Sequence, residues 1–200
     1  MSINAQHRPL IQAQDRRVVR TRRALKDAMI MLTKERGYAN FNVKDICEHA
    51  DVGRSSFYVH FKDKEDVLRA SLDDLHNVIV SHWRASLKDG TGELGKASFL
   101  TPFLQHVNES RDMWRGMIGA EAAEVVNRRF RIIFADMFAQ DLQFKSPYTP
   151  LQVARIHVWV GAFMEILAWW LDSEVPLSPL EVNNIFLAEY TAATTFIELS

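Results

Sequence analysis

The chain has one cysteine, Cys47, and only eight glycines and six prolines in 200 residues. A lone cysteine excludes an internal disulfide framework and a cysteine-rich metal site. So few glycines and prolines leave little material for the tight turns of a hairpin-rich protein, and no run shows the sustained alternation of half-buried strands. There is no long apolar run free of charge either. The most apolar stretch, VARIHVWVGAFMEILAWWL, carries Arg155, His157 and Glu165, which argues against a membrane span. The N-terminus, MSINAQHRPLIQAQDRR, lacks the apolar centre of a secretory signal, so a cytoplasmic protein with no membrane partner is expected. None of the seven histidines stands in H-x-x-x-H or HExxH spacing, and neither a GxSxG elbow nor a glycine-rich phosphate loop occurs. No catalytic residue, metal or cofactor is expected.

What is present is a 48% hydrophobic content, enough for a substantial core, with helical periodicity throughout. The expected fold class is all-α. The net charge of −1 hides an asymmetry. Residues 1–70 hold 14 Lys and Arg against 9 Asp and Glu, whereas the rest hold 10 against 16. Within the basic part, RRVVRTRR places five arginines in eight residues, Arg20 among them, a pattern that suits either a solvated helix face or a polyanion partner.

Thr21, Leu25, Ala28 and Leu32 recur at helical spacing and predict a first helix over 17–36, stopped by Gly37. Asn42 stands at an N-cap position with Asp45 three residues on, opening a short second helix. The stretch DVG then breaks it, Asp51 tolerating left-handed backbone better than most residues, and a third short helix runs from Arg54 to His60. Asp63, with Asp66, caps a fourth helix whose stripe includes Val67, Leu68, Leu72, Leu75, Val78, Ile79, His82 and Trp83. Two short helices joined by a four-residue turn match a helix-turn-helix, whose second helix enters the DNA major groove. Val43, Ile46, Val52, Phe57 and Phe61 supply a small core, leaving Arg54, Ser55, Ser56, Tyr58 and His60 outward to meet bases and phosphates. A compact helical corner without DNA contacts fits the same pattern.

The segment RTRRALKDAMIMLTKERGYANFNVKDICEHADVGRSSFYVHFKDKEDVL resembles the DNA-binding domain of TetR/AcrR-type transcriptional regulators, through its G-Y-x-x-x-x-V, D-I, A-x-V, F-Y-x-H-F and K-x-x-L pattern. The resemblance covers about the first third of the chain. It implies a three-helix DNA-binding head, a connecting fourth helix and a helical body that dimerises and takes a small ligand. By position, it makes Asn42 a cap near a phosphate, Lys44 a DNA-backbone contact, Arg54, Ser55, Ser56 and Tyr58 the groove-facing set, and His60 and Lys64 phosphate contacts. The chain departs from the commoner pattern at Asp51, Gly53 and Ser55. The implied domains are a disordered basic tail at 1–15, the head at 16–62 and the body at 63–200. The implied function is a repressor released from a palindromic double-stranded operator by an effector. The competing reading is a helical ligand-binding or interaction protein that no longer binds DNA.

In the body, the helix from Leu151 is apolar on more than one face. Ala154, Gly161 and Ala168 at seven-residue spacing suit close approach of a second helix, and the last helix offers Val182, Phe186, Tyr190, Ala193 and Ile197. A four-helix interface in a homodimer is expected from these, although a helix wholly buried in a monomer fits the same pattern. Phe99, Phe103, Trp114, Met117, Phe134, Met137, Phe138, Trp159 and Phe163 are the candidate lining of a pocket for a lipophilic or aromatic effector, with His82, His106 or Glu121 as its polar groups. Aromatic residues at helical spacing equally describe a plain core.

Overall fold

The computed structural model describes residues 8–94, 96–118 and 122–195, with side chains placed from 16 to 191. No strand occurs among these residues, and the expected all-α class is what they form. Two compact units divide the chain, residues 1–71 and 72–200.

The first unit holds α1 (Arg8–Arg36), a single 3₁₀ turn (Tyr38–Asn40), α2 (Val43–His49), α3 (Arg54–His60) and the start of α4 (Lys64–Lys88). α1 begins nine residues ahead of the expected start. No helix breaker lies between Leu10 and Arg36, and Pro9 sits in the first turn, where its missing N–H costs nothing. The expected tail of residues 1–15 thus falls partly on α1 and partly outside the described residues. Leu25, Ala28, Met29 and Leu32 are buried as one stripe. Gly37, at φ 75°, ends the helix, its N–H donating to the Thr33 carbonyl at 3.0 Å.

Local chemistry sets the corner between α2 and α3. The Asn42 side chain accepts from the Lys44 N–H and the Asp45 carboxylate accepts from the Asn42 N–H, both at 2.8 Å, completing a capping box. Asp51 takes the left-handed conformation, at φ 51°. Gly53 does not need its freedom: at φ −63° it is the uncapped N-cap of α3, a loss of a few tenths of a kcal/mol relative to serine. Phe57 and Phe61 then carry α3 onto the core with Ile46 and Cys47, while Val43 and Val52 are only half-buried. Burial pushes the Cys47 thiol above its ordinary pKa, against the lowering effect of Arg54, so this cysteine packs as a small hydrophobe.

Lys64 ties this unit together. Its ammonium donates to the Tyr38 carbonyl at 2.9 Å and the Phe41 carbonyl at 3.0 Å, and lies 4.0 Å from the Tyr38 ring centroid. Together with buried Val67 and Leu68, this explains why the first two turns of α4 belong to the head rather than the body.

The second unit comprises the remainder of α4, then α5 (Leu100–Glu109), α6 (Arg111–Ile118), α7 (Ala123–Asp141), α8 (Pro150–Asp172) and α9 (Pro179–Thr195). α7 packs along α8, and α5 along α9. Thr149 and Gln152 form a capping box for α8, with Pro150 at its first position. At the other end of α8, Arg111 and Arg115 of α6 donate to the carbonyls of Trp170 and Leu171, matching cations to the negative end of the helix. The α4 stripe differs from expectation at two points. Val78 is half exposed and His82 exposed, while Val80 is buried in their place.

Replacing Lys64 with Met keeps the stem and deletes the charge, leaving two carbonyls without that donor. Lys64→Met is expected to lower the head's stability by about 1–2 kcal/mol, read as an earlier urea transition. A residue that serves only as a surface phosphate contact would leave the transition where it is.

Candidate nucleic-acid interface

α3 has seven residues, and their exposure defines its two faces. Phe57 is fully buried and holds Tyr58 edge-on at 5.3 Å. Arg54, Ser55, Tyr58 and Val59 are exposed, Tyr58 at 54% and Val59 at 78%, whereas Ser56 and His60 are half-buried at the margin. The outward face therefore presents a guanidinium, hydroxyls and a branched apolar side chain on a rigid base. Val59 is the member that sequence reasoning missed. An apolar residue between Tyr58 and His60 carries no hydrogen-bonding signal in the sequence.

The same unit carries further exposed cations. Arg20 of α1 and Lys44 of α2 are exposed, the latter pairing loosely with Glu48 at 3.6 Å, an exposed contact that contributes little. Arg22 is different. Its guanidinium donates to the His60 carbonyl at 2.8 Å and lies 4.4 Å from the Phe61 ring, so it fixes the end of α3 against α1. Of the expected phosphate contacts, Lys64 is turned inward by the carbonyls described above, which corrects its placement on the outer surface. Asn42 is exposed but spends its side-chain oxygen on the α2 cap. Arg54, Ser55 and Tyr58 come together on one face, with Ser56 at its margin.

In the body, the candidate pocket residues form a packed core. Phe99, Phe103, Trp114, Met117, Phe134, Met137, Phe138 and Phe163 are all buried, and Trp159 is half-buried. They are packed edge to face, with Phe134 and Phe163 at 4.7 Å and Phe103 and Phe134 at 5.0 Å. The space left between α4, α5 and α7 is a cavity of about 10 Å³, room for a single water. Its lining includes Phe103, Phe134 and Met137 but also His76, whose Nε2 is buried without a hydrogen-bond partner. His76, not the exposed His82, is thus the polar group at this cavity. His106 instead stands against Trp114 at 6.0 Å, and Glu121 lies outside the described residues. Burial lowers the His76 pKa; the guanidiniums of Arg129 and Arg84 act in the same direction, and the carboxylates of Asp136 and Asp73 oppose it.

The expected dimer residues separate into two groups. On α8, Ala154 is exposed and Gly161 and Ala168 are half-exposed, on a stripe continued by Val158, Glu165 and Trp169. On α9 the expectation is corrected. Val182, Phe186 and Tyr190 are buried inside the protomer, Phe186 5.6 Å from Phe163 and Tyr190 4.8 Å from Trp159. The outward apolar side chains of α9 are Leu180 and Ile185. The Ala193 side chain and Ile197 lie outside the described residues.

The profile of the bacterial regulatory proteins of the tetR family matches residues 25–71. The uncharacterised HTH-type transcriptional regulator YxbF of Bacillus subtilis is 36% identical over 69 residues, 34% of this chain and 18% of its own. IcaR of Staphylococcus epidermidis, a negative regulator of the biofilm operon icaADBC, is 28% identical over 83 residues, 42% of this chain and 45% of its own. The matched region therefore spans less than half of either relative. Among solved structures, a TetR-family regulator from Syntrophomonas wolfei superposes with a TM-score of 0.65 at 17% identity, over 88% of this chain and 95% of its own. Thermus thermophilus FadR, a repressor solved with lauroyl-CoA, gives 0.64 at 15% identity, over 85% and 93%. At such identities the structures establish a shared fold.

His76 has a folded pKa below its ordinary value of 6.5, so the unfolded chain binds the extra proton more readily, and stability falls as pH drops below about 6.5. The urea midpoint is expected to decline from pH 7 to pH 5 in the wild type and to decline less in His76→Leu. An equal decline in both would remove His76 as the cause.

Proposed function

Because the chain belongs to the TetR family of bacterial regulatory proteins, we propose that it is a transcriptional repressor that holds a palindromic operator as a homodimer and releases it when a small lipophilic effector enters the body. The observation that carries the reading is the outward face of α3, where Arg54, Ser55, Tyr58 and Val59 stand on a buried Phe57, in a unit that also exposes Arg20 and Lys44. Arginine bidentate to a guanine edge and hydroxyls to base edges or phosphates are the contacts such a face makes in a major groove. IcaR, by its description a negative regulator, supports repression, and FadR with lauroyl-CoA supports a lipophilic effector. An effector entering between α4, α5 and α7 displaces the close contacts around Phe103, Phe134 and Met137, since the cavity there admits only a water-sized group. By linkage, a ligand that favours the expanded body over the DNA-binding state weakens operator affinity by the same factor that DNA weakens its own binding.

The α8 stripe of Ala154, Val158, Gly161, Ala168 and Trp169 is the proposed dimer surface, joined by Leu180 and Ile185 of α9. Small residues there permit two α8 helices to approach closely, and Val158, at 61% exposure, gains burial only from a second copy. A Cβ at Gly161 meets nothing within 4 Å in the protomer. Gly161→Arg is therefore expected to leave the fold intact while shifting sedimentation from dimer to monomer and abolishing tight operator binding. A dimeric Gly161→Arg protein would place the interface elsewhere.

Fluorescence anisotropy against the DNA upstream of the protein's own gene and a scrambled duplex, across a salt series, tests DNA recognition. Selective binding that weakens with salt is expected; equal weak binding to both duplexes and to duplexes selected from random DNA would refute the reading. Arg54→Ala and Tyr58→Phe should each reduce specific affinity by about 1–3 kcal/mol without moving the melting temperature. Lys44→Ala should weaken binding to all sequences alike and lower the salt slope by about one unit.

A further inference from the structure

Resting on the DNA-binding reading, we infer that Val59 selects thymine: its methyl groups meet the C5-methyl of one thymine in each operator half-site. Val59 is the most exposed large apolar side chain among the described residues, at 78%. A β-branched residue on an uncovered helix surface contributes neither packing nor helix propensity, so the head's own stability gives no reason for it. Its position is specific. Ser55 and Val59 are four residues apart and stack on the side of α3 opposite Phe57, with Arg54 and Tyr58 along one flank and the half-buried Ser56 and His60 along the other. The centre of the presented face is thus a hydroxyl and an isopropyl group, not two hydrogen-bonding groups.

The chemistry of the major groove limits what such a group can recognise. Guanine, adenine and cytosine present hydrogen-bonding atoms there, while thymine alone adds a methyl group. Valine against one of the other edges would strip water from polar atoms and return no hydrogen bond. Against thymine it removes apolar surface on both sides from water. Arg54 and the hydroxyls therefore read polar edges, and Val59 reads the methyl between them.

Duplexes enriched by the full-length protein from a random pool are the starting material. Each thymine in the half-site is then replaced, in both half-sites at once, by deoxyuridine, which removes only the C5-methyl. One methyl group corresponds to about a fourfold change per half-site, so one position should lose roughly tenfold or more in anisotropy titrations at constant salt. Val59→Ala should bind the thymine and uracil duplexes alike at that position, with an unchanged melting temperature, and Val59→Ile should keep the discrimination. The inference is overturned, and the regulator reading left standing, if no single replacement costs affinity or if Val59→Ala retains the full ratio. If no duplex is enriched and all DNA is bound alike, both fall together.

Discussion

The head depends on a cation placed where a helix least favours one. Lys64 is the first residue of α4, next to the positive end of that helix dipole, where a carboxylate would be the stabilising choice. Its position is offset by the Tyr38 and Phe41 carbonyls and by the faces of both rings, the Phe41 centroid lying 5.0 Å away. These groups come from the turn between α1 and α2, so a single ammonium joins the loop that sets the direction of α2 to the helix that leaves the head. Arg22 acts similarly at the other side, joining α1 to the end of α3. Two cations of a basic segment are thereby used for internal cohesion, and only those left on the surface, such as Arg20 and Lys44, contribute to a field that a polyanion can feel.

The body relies on different means. Its rings form a continuous series from Trp83 and Phe99 through Phe134 and Phe163 to Phe186 and Tyr190, with Phe103 edge-on to Phe134; most contacts are edge to face, while Phe99–Phe134 and Phe186–Tyr190 are stacked. One buried carboxylate interrupts this apolar core. Asp141, at the end of α7, accepts from the Ala97 N–H at 2.9 Å and from the Tyr190 hydroxyl at 3.1 Å, so it orders the turn before α5 and the register of α9 at once. Burial raises the Tyr190 pKa, with the Asp141 charge adding to it, so the phenol stays protonated and remains a donor. Directional bonds of this kind give a core of interchangeable rings one arrangement among many of similar burial.

What was legible in the sequence follows from the range of the interactions involved. Asn42 with Asp45, Asp51 at the turn and Gly37 at the end of α1 act within four residues, and the structure has each of them in the expected role. The outward set on α3 was readable because one turn of helix separates Phe57 from its opposite face. Lys64 was misplaced because its partners are 26 and 23 residues away, and nothing local distinguishes a lysine facing carbonyls from one facing solvent. α9 failed for another reason. It carries Val182, Phe186 and Tyr190 on one side and Leu180 and Ile185 on another, and periodicity identifies stripes without saying which one the protomer keeps. His76 was overlooked because a histidine inside an apolar stripe looks like surface until the cavity beside it is seen.

The exposed apolar side chains also differ between the two units. Large apolar side chains remain exposed on several helices of both units, from Val18 and Val19 on α1 to Ile132 on α7 and Leu180 and Ile185 on α9. Val158 and Trp169 share one face of α8, and Val59 stands opposite Phe57 on α3. An exposed apolar residue by itself is ordinary. Val59 differs in that its helix is only seven residues long and is held by Phe57 on one side alone, so every residue on the other side is free to vary without cost to folding. A valine at that position is accounted for by the proposed thymine contact, since the basic head faces a polyanion whose major groove carries a methyl group.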